Sequence, residues 1–186
     1  KMNYLKIEHE DVCNGTGLRC TIWLTSCSHG CPWCFNKETW NPDSGIPFDE
    51  SAKQEIFDEL SKDYISGITL TGGDPLHENN LDEVLLLIQE IRSSYPDKTI
   101  WLYTGYTFEE CKPFSEEGIL PGSKFAPHLQ DILKKRWEII SNVNVLVDGE
   151  YIDEQRDITL KWCGSSNQRV IDVKQTIKEG RVIILL

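Results

Sequence analysis

Apolar residues in this chain alternate between two spacings, and each strand-like run ends in a loop of unusual composition, a pattern that leaves few folds open. Residues 18–25 (LRCTIWLT) are rich in β-branched and aromatic side chains and read as a buried strand running into a cysteine loop. Asp49 or Ser51 then caps a helix with Ala52, Ile56, Leu60 and Tyr64 at four-residue spacing. A strand over 67–71 ends in Gly72-Gly73-Asp74-Pro75, and Asn80 with Glu83 three places on opens a helix carrying Leu81, Val84, Leu85, Ile88 and Ile91. A third strand, 99–103, runs into Thr104-Gly105. Residues 112–127, with Gly118, Pro121 and Gly122, read as a long loop, and Leu129, Ile132, Leu133 and Trp137 mark another helix. Residues 143–148, 168–173 and 182–186 read as further strands.

Strands alternating with helices imply a mostly parallel sheet with right-handed crossovers. A closed eightfold barrel takes about 250 residues. These 186 residues are therefore expected to form an α/β fold of one domain over 1–186, a partial, laterally open (β/α) barrel. Lys1, ahead of Met2, is expected to be a cloning remnant. Ligands in such sheets bind where the strands end, so the cysteine loop, the Gly-Gly loop and Thr104-Gly105 are expected on one face.

The formal net charge of −11 repels a phosphate backbone and argues against nucleic acid or an anionic membrane surface as partner. No apolar run approaches the roughly 20 residues of a membrane span. The N-terminal residues lack the apolar core of a signal peptide, and the seven cysteines suit a reducing compartment, the cytoplasm, where thiols serve as metal ligands or redox groups.

Cys27, Cys31 and Cys34 place three thiols within eight residues, close enough to aim all three sulfurs at a common point. Soft thiolates at this spacing select zinc, cuprous copper or an iron–sulfur cluster. A structural zinc site takes four ligands, usually as two separated pairs, and no second Cys-x-x-Cys occurs here. His29 is a candidate fourth ligand, but its ring is expected to turn outward. Cys31-Pro-Trp-Cys34 also fits a thioredoxin-like dithiol, a reading that leaves Cys27 unexplained. A cubane [4Fe–4S] cluster with three protein ligands leaves one iron open to a substrate. Cys13, Cys20, Cys111 and Cys163 lack comparable spacing and read as small buried hydrophobes. His9, His77 and His128 have no recognisable partners in the sequence.

The Cys-x3-Cys-x2-Cys triplet with Trp33 before the last cysteine resembles the signature of the radical S-adenosylmethionine (SAM) superfamily. The resemblance implies a [4Fe–4S] cluster on Cys27, Cys31 and Cys34 whose open iron chelates SAM and cleaves it reductively to methionine and a 5′-deoxyadenosyl radical. Gly72, Gly73 and Asp74 resemble the superfamily's glycine-rich motif, implying that their backbone and carboxylate hold the methionine ammonium, with Asp where Glu is commoner. Trp33 and Phe35, flanking Cys34, are expected to shield the cluster and meet adenine, partly through the main chain, and Thr104 and Gly105 the ribose or carboxylate.

Further stretches resemble the activating proteins of anaerobic (class III) ribonucleoside-triphosphate reductase over most of the chain. They are Asn14-Gly15-Thr16-Gly17-Leu18-Arg19, Cys34-Phe35-Asn36-Lys37-Glu38-Thr39-Trp40-Asn41, Leu70-Thr71-Gly72-Gly73-Asp74-Pro75-Leu76, Trp101-Leu102-Tyr103-Thr104-Gly105-Tyr106, Val147-Asp148-Gly149 and Gly164-Ser165-Ser166-Asn167-Gln168-Arg169. The resemblance implies an oxidoreductase that abstracts hydrogen from a backbone glycine of the reductase, fed by flavodoxin or a similar low-potential donor. Two departures stand out: Ser26 replaces a common Gly, and residues 112–135 run longer than in the shortest members. The alternatives are a pyruvate formate-lyase-type activase, a 7-carboxy-7-deazaguanine synthase-like enzyme, or a zinc-binding adaptor without catalysis.

Overall fold

The computed structural model describes residues 1–115 and 126–185. Its strands are β1 (Asn3–Asp11), β2 (Leu18–Leu24), β3 (Ile46–Pro47), β4 (Ile65–Gly72), β5 (Thr99–Tyr103), β6 (Val145–Asp148) and β7 (Arg169–Asp172). Its α-helices are α1 (Glu50–Leu60), α2 (Leu81–Ser94), α3 (Ala126–Ser141) and α4 (Val173–Glu179). The strands form one sheet in the order β3-β1-β2-β4-β5-β6-β7. The four central strands, β2-β4-β5-β6, run parallel, while β1 and β3 on one flank and β7 on the other pair antiparallel. The α/β expectation holds with that refinement: the core of the sheet is parallel and the flanks are not.

Alternation along the central strands sorts side chains onto two faces. Cys20, Ile22, Leu24, Ile68, Leu70, Ile100, Leu102, Leu146 and Ile171 share one buried cluster with Ile56 of α1, Ile88 of α2 and Ile140 of α3. The order β2-β4-β5-β6 advances in one direction, so right-handed crossovers deliver α1, α2 and α3 to that same face. Each fully buried aliphatic side chain there contributes about 1.5–3 kcal/mol. Trp101, Val145, Val147 and Val170 form a second cluster, capped by Trp162 and Cys163.

Arg19, fully buried, belongs to the Asn14–Arg19 run and explains it structurally. Its guanidinium donates to Thr69 Oγ1 (2.8 Å), Thr99 Oγ1 (2.9 Å) and the carbonyls of Ile68, Thr99 and Thr16. Burial lowers its pKa to about 10, which leaves it charged at neutral pH. A Cβ on Gly15 would lie 2.8 Å from the Arg19 side chain, so the glycine lets the loop close over it.

Asp49 caps α1 by accepting from Ala52 N at 3.0 Å, as the sequence indicates. The helix ends at Leu60, however, and Tyr64 lies beyond it, exposed, with its hydroxyl on Glu10. Asn80 stands at the N-cap of α2 without a side-chain capping bond. Its amide donates instead to Thr25 O (2.8 Å) and Asp74 O (2.9 Å), which outcompete a local cap because they join two loops. Of the expected strand 182–186, residue 186 lies outside the described residues; Leu185 N donates to Val170 O, and Asp172 N to Ile183 O, alongside β7. Much of the expected loop 112–127 lies outside the described residues.

Candidate metal centre

The cysteine loop begins where β2 ends, and its backbone is fixed at both ends. Thr25 N donates to Asn3 O of β1, and Cys27 N to Trp40 O, which closes the loop on itself. Cys34 N donates to Cys31 O at 3.0 Å, forming the turn between the second and third thiols. Ser26 adopts φ +72, the left-handed region that favours glycine.

Gly72 and Gly73 have a specific task in this structure. Gly73 N donates to Leu24 O and Asp74 N to Ser26 O, both at 2.8 Å, extending the β4–β2 ladder into the cysteine loop. A Cβ on Gly72 would lie 2.7 Å from the Leu24 backbone, and one on Gly73 2.7 Å from Ser26 O. The close approach these glycines permit is thus to the protein's own backbone, at the base of the ligand loop.

Asp74, 1% exposed, is the hub. Its Oδ1 accepts from Leu76 N (2.8 Å); its Oδ2 accepts from Thr104 Oγ1 and Gly105 N, both 3.0 Å, and lies 2.7 Å from His29 Nε2. The cysteine loop, the Gly-Gly loop and Thr104-Gly105 therefore meet at one carboxylate, as expected from strands ending on one side. Leu76 O accepts from Arg136 Nε of α3, and the Arg136 guanidinium lies 3.7 Å from the Tyr106 ring centre.

His29 departs from expectation. Its ring turns inward, its side chain 9% exposed, with Nδ1 2.8 Å from Glu150 Oε1 and an edge-on contact to Tyr106. Two carboxylates and an aromatic wall outweigh the solvation that an outward ring would gain. Burial pulls its pKa down, but the Asp74 hydrogen bond and charge, followed by those of Glu150, raise it overall.

Glu150 was not legible as a site residue, although it follows Val147-Asp148-Gly149 at the end of a parallel strand, where such residues gather. The Gly164–Arg169 run secures it. Gln168 Oε1 accepts from Gly164 N and Ser165 N, Gln168 Nε2 donates to Gly149 O, and Asn167 Nδ2 donates to Glu150 O. Arg169 adds bonds to Asp148 and Glu109.

Burial pushes the Cys27 thiol up to about 11, opposed by the His29 backbone and reinforced by Asp74, Cys31 and Cys34. Cys31 is also raised, by burial first, with the Tyr151 backbone acting against it. With their pKa values raised, these groups are thiols at neutral pH, and a bound metal would displace their protons and supply the positive charge that three thiolates near a carboxylate require. The donor set therefore fits an iron–sulfur cluster. Among the described residues, no group of three or more His, Cys, Asp or Glu side chains is arranged to hold a single metal ion.

Trp33 and Phe35 project into solvent, 68% and 87% exposed, rather than folding over the thiols. Cys20 and Cys111 are buried, as expected of small hydrophobes, with thiols pushed up to about 12, whereas Cys13 is exposed and Cys163 half-buried. His9 does have partners, Glu55 at 2.7 Å and Glu59 at 3.4 Å. No helix among the described residues is long and apolar enough to cross a membrane.

A family model described as a 4Fe-4S single cluster domain matches residues 13–171. The anaerobic ribonucleoside-triphosphate reductase-activating protein of Escherichia coli K12 is 37% identical over 171 residues, covering 91% of this chain and 97% of its own. The protein of that name from Vibrio cholerae is 38% identical, covering 90% and 96%, and that of Enterobacteria phage T4 is 36% identical, covering 91% and 93%. The shared segment contains the cysteine loop, the Asp74 hub and the Glu150 clasp, and the chain belongs to the family of anaerobic ribonucleoside-triphosphate reductase-activating proteins.

Proposed function

We propose that this chain is a cytoplasmic radical SAM activase that generates a glycyl radical on an anaerobic ribonucleoside-triphosphate reductase. The observation that carries the reading is the junction of the three-thiol loop with the Gly-Gly loop, through Gly73 N to Leu24 O and Asp74 N to Ser26 O. That junction sets a cluster loop beside a buried carboxylate at the ends of parallel strands. A [4Fe–4S] cluster on Cys27, Cys31 and Cys34 supplies, when bound, one electron for reductive cleavage of SAM.

The chain's own residues hold and orient. Asp74 and the backbone of Gly72 and Gly73 receive the N–H groups of the SAM amino group. Trp33 and Phe35, exposed beside Cys34, offer aromatic faces to adenine, with the Cys34 main chain alongside, and Thr104 stands next to Asp74 on the ribose or carboxylate side. The one-directional strand order with three helices on one face supports a partial, laterally open barrel. An open side is what a macromolecular substrate needs to bring its glycine within reach. The electron comes from flavodoxin or a donor of similar low potential.

The test combines anaerobically reconstituted protein, SAM, a reductant and the cognate reductase. The expected products are 5′-deoxyadenosine and an organic radical on the reductase, detected by chromatography and electron paramagnetic resonance (EPR). A colourless, fully folded protein carrying stoichiometric zinc, and no radical, would exclude the reading.

A further inference from the structure

Asp74 Oδ2 is saturated: Thr104 Oγ1, Gly105 N and His29 Nε2 all crowd it within 3.0 Å, whereas Oδ1 accepts only from Leu76 N. A carboxylate oxygen offers about two lone-pair sites. The lone-pair capacity that remains on this carboxylate is therefore at Oδ1, and the donors on Oδ2 fix where that oxygen points.

Of those donors, His29 alone belongs to the cluster loop, in the arc between Cys27 and Cys31. Its ring is held at both nitrogens and along one edge. Glu150 holds Nδ1 at 2.8 Å, Tyr106 meets the ring at a centroid distance of 4.4 Å, and a Cβ on Gly105 would lie 2.5 Å from the ring. Gly105 is thus required so that the imidazole can reach Asp74. Asn167 and Gln168 tie down the main chain at Glu150 and Gly149.

We infer that His29 is a positioning residue that acts through Asp74: one rigid ring ties the cluster loop to the carboxylate that receives the SAM amino group, fixing both parts of the ligand's chelation site relative to each other. The inference rests on the proposed SAM reading. It gives Glu150 and the Gly164–Gln168 segment a role at a distance, as the support of that strut.

The test is equilibrium binding of SAM to anaerobically reconstituted His29→Ala and His29→Gln, with iron content and the EPR spectrum of the reduced cluster recorded on the same samples. His29→Ala is expected to retain wild-type iron and to weaken SAM binding about tenfold or more, the loss of one hydrogen bond to a charged group. KM for SAM rises correspondingly, with a smaller change in kcat. His29→Gln keeps a donor for Asp74 and is expected to recover most of the affinity. Unchanged affinity in His29→Ala would overturn the inference. So would an affinity loss that merely tracks lost iron, or an equal defect in both variants. Failure of the wild-type protein to bind SAM would instead bring down the reading beneath it.

Discussion

Replacing Cys31 by alanine is expected to abolish stable cluster binding and to lower radical formation on the reductase by more than about 100-fold. That loss lies beyond the 10–100-fold typical of outer-shell partners of a metal. Cys31 stands between the other two thiols, paired by its carbonyl with Cys34 N, and its sulfur lies under the influence of the Tyr151 backbone and Glu150. Cys20 and Cys111 are buried, with thiols pushed up to about 12, and are poorly placed to substitute for it. Cys13→Ala and Cys163→Ala serve as controls and are expected to keep wild-type iron. Iron and sulfide analysis after anaerobic reconstitution checks the set, and undiminished cluster content in Cys31→Ala would refute the ligand assignment.

Asp74→Ala is expected to destabilise the protein by about 3–5 kcal/mol, because it leaves the N–H groups of Leu76 and Gly105 and the Thr104 hydroxyl without their acceptor. For a domain of this size the melting temperature falls by roughly 10 °C. The effect is large because three loops lose their common anchor at once, and the cysteine loop loses the contact made by His29. Asp74→Asn keeps one acceptor oxygen and is expected to lose less stability while still losing the charge that attracts an amino N–H. Calorimetry of the two variants separates these contributions. A melting temperature for Asp74→Ala within a degree or two of wild type would contradict the hub assignment.

Much of this arrangement was legible in the sequence, for identifiable physical reasons. The central strands announced themselves through runs such as Ile68, Leu70, Ile100 and Leu102, which are buried in the parallel core, and Asp49 declared the start of α1 through a local cap. Strand β1 was missed because its residues, NYLKIEHED, mix charged and apolar side chains on a flank that is only partly buried. Strand β3 is two exposed residues whose existence depends on pairing with Asn3 and Tyr4. Helix α4 is seven residues long, capped by Asp172 and closed by Gly180 in the left-handed region, too short for its spacing to register.

The site divides in the same way. Cysteine spacing is local and was readable, and so was the coincidence of loops at strand ends. The inward turn of His29 was not, because it depends on Asp74 and Glu150, which lie 45 and 121 positions away. Asn80 read as a cap because its local pattern was right, yet it serves two distant carbonyls. The glycines at 72 and 73 read as part of a ligand-holding motif, but the neighbour they approach is the exit of β2, which only the register of β2 against β4 discloses.

The central claim is that three protein thiolates hold a cluster with one iron left open for the amino and carboxylate groups of SAM. The most direct measurement is electron–nuclear double resonance on the reduced, anaerobically reconstituted protein with SAM labelled by nitrogen-15 at the amino group and oxygen-17 at the carboxylate. The account predicts hyperfine coupling of both labels to the cluster spin and a shifted EPR spectrum on adding SAM. A spectrum unmoved by SAM, with neither label coupled, would contradict it.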